Sequence, residues 1–142
     1  MKASARNQFK GTVSSVVIGA VNAEVHIALA GGETIVASVT KESVETLAIT
    51  EGLDVIGLVK APQIILVTDF GGYKFSARNQ LQGIVTQIKT GAVNTEVDLE
   101  LKGGEKMAVT VTNDSVESLG LKQGQSATAL FKAGAVILAV AS

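Results

Sequence analysis

Four positively charged side chains occur at equivalent positions in two copies of one segment, residues 4–68 and 76–140. They are Arg6, Arg78, Lys60 and Lys132. Elsewhere in the aligned copies the positive charges are not shared; Lys10, for example, aligns with Gln82. A charge that serves only solubility can change position between copies, so these four indicate a requirement at fixed places. Because Arg offers a planar fork of donors and Lys a compact point charge, the pattern predicts anion binding.

Three hydroxyl residues are retained in both copies as well. They are Ser4/Ser76, Thr40/Thr112 and Ser43/Ser115. Thr40 and Ser43 stand three apart at a predicted helix start, where free N–H groups and a partial positive charge favour anions. Taken singly, Thr40 is equally well explained as an N-cap, and an exposed cation carries little energetic weight. The joint retention in two copies favours the binding interpretation.

Short β-strands and one short helix must position these residues in each copy. Polar and apolar residues alternate through Asn22–Leu29, which indicates a half-buried strand, and the glycine pair at 31–32 predicts a hairpin. Thr40 and the acidic residues after it predict one or two helical turns. The other predicted strands of the first copy are Gln8–Ile18, Thr34–Val39, Leu53–Lys60 and Ile64–Thr68. The fifth strand, which recurs at Val136–Val140 in the second copy, is expected to close its own module.

Five strands with a helix between the third and the fourth is the order of an OB-fold. The sequence therefore predicts an all-β protein with two tandem OB-fold five-stranded Greek-key barrels, each carrying one short helix. The predicted domains are residues 1–68 and 76–142, joined by a linker at 69–75 that contains two glycines. In this linker Tyr73 and Phe75 either dock on a module surface or belong to the core.

Composition excludes several classes of protein. Hydrophobic residues make up 46% of the chain but aromatic residues only 4%, and the net charge is −1 with a pI near 5.8. We therefore expect no nucleic-acid partner and no membrane partner. The absence of cysteine excludes disulfides and thiolate chemistry. No segment resembles a membrane span or a signal peptide, so a cytoplasmic location is expected.

Four motifs that recur in both copies resemble one known family. They are S-A-R-N-Q-x-x-G-x-V from Ser4, G-A-V-N-x-E-V from Gly19, T-x-x-S-V-E-x-L from Thr40 and K-A-x-x-[IV]-I-L from Lys60. In combination they look like the Mop domain of molbindins, small OB-fold modules that bind molybdate and tungstate. The resemblance covers nearly the whole chain. One departure is that Pro62 is replaced by Gly134 in the second copy.

The resemblance implies an oxyanion site between modules, with Ser and Arg facing Thr, Ser and Lys across the interface. The matching residues are Ser4, Ala5, Arg6, Thr40, Ser43, Lys60 and Ala61 in the first copy, and Ser76, Ala77, Arg78, Thr112, Ser115, Lys132 and Ala133 in the second. It also implies a second kind of site on a threefold axis, expected at Gly19, Ala20, Val21 and Asn22 and at Gly91, Ala92, Val93 and Asn94. A homo-oligomer, a trimer of tandem-domain chains, is implied with it.

The function predicted on this basis is storage and homeostasis of molybdate or tungstate, with no catalytic cofactor and no site for a free metal cation. Molybdate is a tetrahedral dianion that only accepts hydrogen bonds, whereas phosphate near pH 7 retains a proton. A site made only of donors would therefore favour molybdate, tungstate or sulfate.

Three alternatives remain at this point. A single-stranded nucleic-acid-binding OB module needs a basic groove and aromatic platforms, but the chain has four Phe, one Tyr and no Trp. An enzyme is disfavoured because the single histidine, His26, aligns with Asp98. The retained carboxylates Glu24/Glu96 and Glu45/Glu117 are better explained by structural pairing. In the third alternative the chain is a structural oligomer and any anion is incidental.

Overall fold

The computed structural model describes all residues, Met1–Ser142, as ten strands and two short α-helices. The first repeat contains β1 (Asn7–Ile18), β2 (Asn22–Leu29), β3 (Thr34–Thr40), α1 (Lys41–Thr46), β4 (Asp54–Val59) and β5 (Ile65–Val67). The second contains β6 (Asn79–Thr90), β7 (Asn94–Leu101), β8 (Lys106–Thr112), α2 (Asn113–Leu119), β9 (Ser126–Phe131) and β10 (Ile137–Val140). A 3-10 turn, which the sequence did not predict, precedes each fifth strand: Ala61–Gln63 and Ala133–Ala135.

The strands form two five-stranded antiparallel sheets, which confirms the predicted fold class. Alternation of buried and outward residues along β2 and β7 follows the period of two, with Val25 and Ile27 fully buried on the inner face of the first sheet. A bulge at Ser14 in β1, repeated at Thr86 in β6, shifts the register of the first hairpin and bends each long strand.

The fifth strands are exchanged between the repeats. The strand order is β10-β4-β1-β2-β3 in one sheet and β5-β9-β6-β7-β8 in the other. β10 therefore pairs with β4 of the first repeat, and β5 pairs with β9 of the second. The prediction that Ile64–Thr68 closes its own module, and Val136–Val140 likewise, is wrong.

The exchange of the fifth strands depends on the path of the chain after β4. Because the repeats are similar, β4 and β9 offer similar edges, and a fifth strand makes the same kind of ladder with either of them. The path after β4 decides between the two partners: the chain turns through Ala61–Gln63 and crosses to the other sheet. Hydrophobic periodicity describes the strand but carries no information about this path.

The two repeats share one hydrophobic core. A single cluster of 27 buried residues draws on both repeats, and its fully enclosed side chains include Ile27 and Ile35 of the first and Leu99 and Met107 of the second. The exchanged strands place Leu66 and Leu138 in the same cluster. Neither of the two helices has the length and apolar character that a membrane span requires.

The linker packs largely on itself. Phe70 and Phe75 meet edge to face with ring centroids 5.6 Å apart, and Asp69 accepts a hydrogen bond from the Gly71 amide at 2.8 Å. Tyr73 is 77% exposed, so it is neither docked on a module nor part of the core.

Candidate functional site

Local hydrogen bonds fix the hydroxyl pair at each helix start. Thr40 is the N-cap of α1: its Oγ1 accepts a hydrogen bond from the Ser43 amide at 3.0 Å and donates one to Ser43 Oγ at 2.8 Å. Thr112 caps α2 with the same geometry, at 3.1 Å to the Ser115 amide and 2.8 Å between hydroxyls. Capping thus accounts for the threonine oxygens. The Ser43 hydroxyl proton has no acceptor within the chain, so it remains free for a ligand.

Each sheet ends in an arginine and a lysine side by side. In the β1–β4 ladder Asn7 pairs with Val59, so the next residues beyond that rung are Arg6 and Lys60. The corresponding residues of the second sheet are Asn79, Phe131, Arg78 and Lys132. Both lysines are exposed, and neither takes part in an ion pair.

The turn that follows each lysine packs against the third strand of the other repeat. Ala133–Ala135 contacts β3, and Ala61–Gln63 contacts β8. A cavity of about 420 Å³ lies beside the start of α1, where the two repeats meet. Its lining includes Thr40, Ser43 and Leu47 from the first repeat and Gly134, Val136 and Ile137 from the second. Lys132 itself is not in the lining, but it stands two residues before Gly134, which is.

The Ser-Ala-Arg-Asn motif of the second copy reaches the same region. Asn79 hydrogen-bonds to the backbone of Val36 in β3, with 2.8 Å from its Oδ1 to the amide nitrogen and 2.8 Å from its Nδ2 to the carbonyl oxygen. One residue earlier, Arg78 reaches Glu24 on β2, nearer to the end of β3 that carries Thr40. The chain therefore runs from Asn79 back towards the start of α1.

The other residues of this motif have distinct environments. The Ala5 carbonyl accepts a hydrogen bond from Gln8 Nε2 at 3.3 Å, and the Ala77 carbonyl accepts one from Gln80 Nε2 at 3.0 Å. These contacts explain why Gln is retained in both copies. The exposed members of the motif that make no hydrogen bond in the chain are Ser4 and Ser76.

The packing of the 3-10 turns suggests two equivalent candidate groups, each drawing on both repeats. One contains Ser76, Arg78, Lys132 and Ala133 together with Thr40 and Ser43; the other contains Ser4, Arg6, Lys60 and Ala61 together with Thr112 and Ser115. The resemblance implied a lysine across the interface from the arginine, whereas in this chain each lysine lies beside the arginine of its own repeat. Ala61 and Ala133 begin the 3-10 turns, so their amides have no partner within the turn.

Both arginines form ion pairs with glutamates of the other repeat. Arg78 Nη1 lies 2.5 Å from Glu24 Oε2 and its Nη2 lies 2.9 Å from Glu24 Oε1, an end-on bidentate contact. Arg6 pairs through Nη1 with Glu96 Oε1. The structural pairing expected for Glu24 and Glu96 is therefore present, and its partners are the candidate anion-binding arginines. The pairing expected for Glu45 and Glu117 is absent, because neither carboxylate takes part in an ion pair.

In the first repeat a third group completes the ion pair. His26 Nε2 lies 2.7 Å from Glu24 Oε1, on the half-buried polar face of β2. Hydrogen bonds from Arg78 and then His26 lower the pKa of Glu24 from 4.5 to about 2, and the same contact with Glu24 raises the pKa of Arg78. Glu24 is therefore ionised throughout the neutral range.

In the second repeat, different residues contact the equivalent glutamate, Glu96. Lys89, which replaces Val17, lies 3.3 Å from Glu96 Oε2 and 3.5 Å from Asp98 Oδ2, and Asp98 replaces His26. Burial raises the pKa of Asp98, as does its hydrogen bond with Glu96. Burial also opposes ionisation of Glu96, but hydrogen bonds with Asp98, Arg6 and Lys89 lower its pKa overall. The added lysine thus balances the added aspartate.

Asn7 and Asn79 of the retained motif connect the two repeats, a role that the sequence alone did not indicate. Both are at least 98% buried, and each bridges to the edge strand of the other repeat's sheet. Their retention inside the unchanged Ser-Ala-Arg-Asn-Gln segment was the available signal. It could not be interpreted without knowing that the motif crosses between repeats.

The two Gly-Ala-Val-Asn turns are exposed and lie next to the helix starts. The Val21 carbonyl accepts a hydrogen bond from the Lys41 amide at 2.8 Å, and Val93 accepts one from Asn113 at 3.1 Å. Val21 and Val93 are 71% and 72% exposed. No hydrogen bond joins these turns to the side chains of the four retained cations, and their role as a second kind of site stays a prediction.

Two observations bear on other functions. Phe9 and Phe131 are buried in the core and Phe70 and Phe75 pack on each other, which leaves Tyr73 as the one largely exposed aromatic ring. No row of aromatic platforms for stacked bases is formed. The chain also contains no cluster of three or more His, Cys, Asp or Glu side chains that would hold a metal cation.

Comparison with known families identifies the same domain in both repeats. The TOBE domain model matches residues 3–66 and again residues 76–138. The chain therefore belongs to the TOBE domain family, and the Mop-type resemblance of its motifs is confirmed.

Among solved structures, the chain is similar to the cytoplasmic molybdate-binding protein ModG in a crystal form with molybdate bound. The two share 54% identity with a TM-score of 0.96, over 99% of this chain and 100% of that one. It is also 45% identical over 140 residues to the molybdenum transport protein ModE of Herbaspirillum seropedicae and 41% identical to the molybdenum-pterin-binding protein MopA of Rhodobacter capsulatus. These matches cover 99% of this chain but 52% and 53% of the relatives, so the chain spans about half their length.

Proposed function

We propose that this chain binds molybdate or tungstate reversibly and without turnover, and that it serves storage and homeostasis of the oxyanion in the cytoplasm. The observation that carries the proposal is that Thr40 and Ser43 line a cavity together with Gly134 of the other repeat, two residues beyond the retained Lys132. Arg78, which lies next to Lys132 at the end of its sheet, reaches Glu24 on β2, and β2 pairs with the strand that ends at Thr40. The similarity to ModG at 54% identity supports molybdate as the ligand.

The chemistry of the group suits a tetrahedral dianion. Lysine and arginine offer only donors, and the Ser43 hydroxyl proton is free. The nearest carboxylate, Glu24, already accepts from Arg78 with both oxygens and from His26 with one. A ligand that must itself donate a proton, such as monohydrogen phosphate, gains nothing from the two cations and has only hydroxyl oxygens or the already paired Glu24 carboxylate as acceptors. This favours molybdate, tungstate or sulfate over phosphate.

We further propose that the exchanged pair of modules, residues 1–68 and 76–142 with the linker 69–75, is the smallest unit that forms these sites. Each group takes its arginine, its lysine and one serine from one module and its threonine–serine pair from the other. No catalytic cofactor is required, because binding involves only hydrogen bonds and charge.

The active assembly is proposed to be a trimer. Equivalent apolar side chains are exposed on both modules: Val21 and Val93 at the turns, and Ile65 and Ile137 on the exchanged strands at 62% and 64% exposure. Their burial would give a stable interface and bring the Gly-Ala-Val-Asn turns of three chains together. An anion held between chains would then stabilise the assembly by linkage. Light scattering with and without molybdate tests this; a monomer that binds molybdate fully would contradict it.

Calorimetric titration with molybdate, tungstate, sulfate and phosphate, together with elemental analysis of the purified protein, tests the proposed function. We expect tight binding of molybdate and tungstate, weaker binding of sulfate and least of phosphate. Phosphate binding as tight as molybdate would contradict the donor argument. Retention of single-stranded DNA on filters at low salt, with no heat from any oxyanion, would instead support the nucleic-acid alternative.

A further inference from the structure

The cross-repeat Arg–Glu pairs stand out because both members are kept in both copies while their surroundings differ. Arg78 binds Glu24 and Arg6 binds Glu96. The groups that support the two glutamates are His26 in one case, and Lys89 with Asp98 in the other. The Arg–Glu pair is retained although different residues contact its glutamate in the two repeats. This indicates that the pair itself serves a function.

The geometry of the pair leaves most of the guanidinium free. A guanidinium carries five N–H donors, and the contact with Glu24 uses one from Nη1 and one from Nη2 of Arg78. The remaining donors include Nε–H, on the side away from the carboxylate. The arginine side chains are 52% and 57% exposed, so these donors are accessible.

The glutamates are themselves held in place. His26 Nε2 at 2.7 Å fixes one oxygen of Glu24, and Lys89 Nζ at 3.3 Å fixes one oxygen of Glu96. Both carboxylates belong to central strands, β2 and β7, whose backbones are paired on both sides. An arginine bound end-on to such a carboxylate loses the torsional freedom that a long exposed side chain normally has.

We propose that Glu24 and Glu96 are positioning residues for the oxyanion sites, each orienting the other repeat's arginine so that its free donors face the ligand. The proposal rests on the proposed function, since it assigns the glutamates to those same sites. It differs from a view in which a carboxylate near a dianion merely repels it. If the glutamate charge repels the oxyanion, removing that charge should tighten binding. If the glutamate orients the arginine, removing the charge should weaken binding.

The test is a double-mutant cycle measured by molybdate calorimetry, with Glu24→Gln, Arg78→Ala and the double variant. Because glutamine keeps the shape of the side chain but not its charge, we expect Glu24→Gln to weaken binding by roughly three- to ten-fold, in the range of coupling between contacting residues. In the Arg78→Ala background the same change should have no further effect. Glu45→Gln, at an exposed and unpaired helix position, is the matched control and should leave binding unchanged.

Glu96→Gln with Arg6→Ala repeats the cycle at the other site, so the inference does not depend on one variant folding well. Tighter or unchanged binding in Glu24→Gln or Glu96→Gln would overturn it, as would an equal loss with and without the arginine. If the wild-type chain binds no oxyanion, the proposed function fails. If the wild type binds but the cycles show no coupling, the positioning role alone fails.

Discussion

Asn7 in the first repeat and Ala108 in the second are joined by two hydrogen bonds. The Asn7 Nδ2 group donates to the Ala108 carbonyl at 2.8 Å, and the Ala108 amide donates to Asn7 Oδ1 at 2.7 Å. The side-chain amide thus imitates one rung of a neighbouring strand along β8, which is the outer strand of its sheet. The Asn7 amide therefore pairs with the backbone N–H and carbonyl of Ala108, which would otherwise lack partners at this edge of the sheet.

Replacement of the equivalent Asn79 by alanine should destabilise the protein substantially. Both the N–H and the carbonyl of Val36 would lose their partners inside the interface, at a cost of about 2–4 kcal/mol. Urea denaturation of Asn79→Ala measures the loss in the free energy of unfolding. Gln82→Ala, which removes an exposed side-chain contact of 3.3 Å, is the control and should change stability little. Equal stability of the two variants would contradict the role given to Asn79.

The hairpin turns at Gly31 and Gly103 approach each other so closely that neither position has room for a side chain. A Cβ added at Gly31 would clash with the Gly103 carbonyl oxygen and lie 2.6 Å from its Cα. The approach is held by Glu33, which accepts from the Gly103 amide at 2.9 Å, and by Glu105, which accepts from the Gly31 amide at 3.0 Å.

We therefore expect Gly31→Ala to lower the free energy of unfolding by about 1–3 kcal/mol, because the turns must separate. Thermal melting provides the measurement. Gly134→Ala is the matched control, since nothing lies within 4 Å of a Cβ at that position. A melting temperature for Gly31→Ala as high as that of Gly134→Ala would show that the turns separate at no cost.

The Glu24 carboxylate predicts a pH dependence of stability. Its pKa is lowered from 4.5 to about 2 by hydrogen bonds from Arg78 and His26, so the folded state favours the ionised form. The resulting stabilisation is fully present above pH 4.5 and is lost as the pH falls towards 2. The difference in unfolding free energy between wild type and Glu24→Gln should shrink through this window. A difference that stays constant from pH 5 to about pH 2 would contradict the lowered pKa.

The cross-repeat grouping of the site can be tested by asking which substitutions are coupled. Ser43→Ala and Lys132→Ala belong to one proposed group, so their effects on molybdate affinity should be non-additive. Ser43→Ala and Lys60→Ala belong to different groups and should add. Lys132→Ala alone should weaken binding at its group about ten-fold or more through loss of a charge-assisted hydrogen bond. Additivity in the first pair and coupling in the second would reverse the assignment.

The sequence predicted local structure well because local structure depends on local patterns. The alternation in Asn22–Leu29 reproduces β2, and Thr40 followed by acidic residues predicts the cap and the helix α1. The candidate cations and hydroxyls were identified from retention between copies alone.

What the sequence did not predict depends on where the chain goes after β4. The exchange of β5 and β10, the partners of Asn7 and Asn79, and the Arg–Glu pairs all follow from contacts between repeats. Periodicity records which face of a strand is buried, but two similar repeats offer two equivalent partners for each contact. Glu24 and Glu96 were therefore retained residues without a visible reason until the two repeats were seen together.

Because the fifth strands are exchanged, the covalent linker sets the effective concentration of one repeat near the other. A single repeat of this sequence leaves the edge of its fourth strand unpaired and its own fifth strand without a sheet, so it needs a second copy to complete both. In two separate chains that exchange would be a bimolecular step that fails on dilution. Residues 69–75 make it intramolecular, with an effective concentration of roughly millimolar for a short connection. A proteolytic cut in the linker would thus leave the fold intact while making its stability depend on protein concentration.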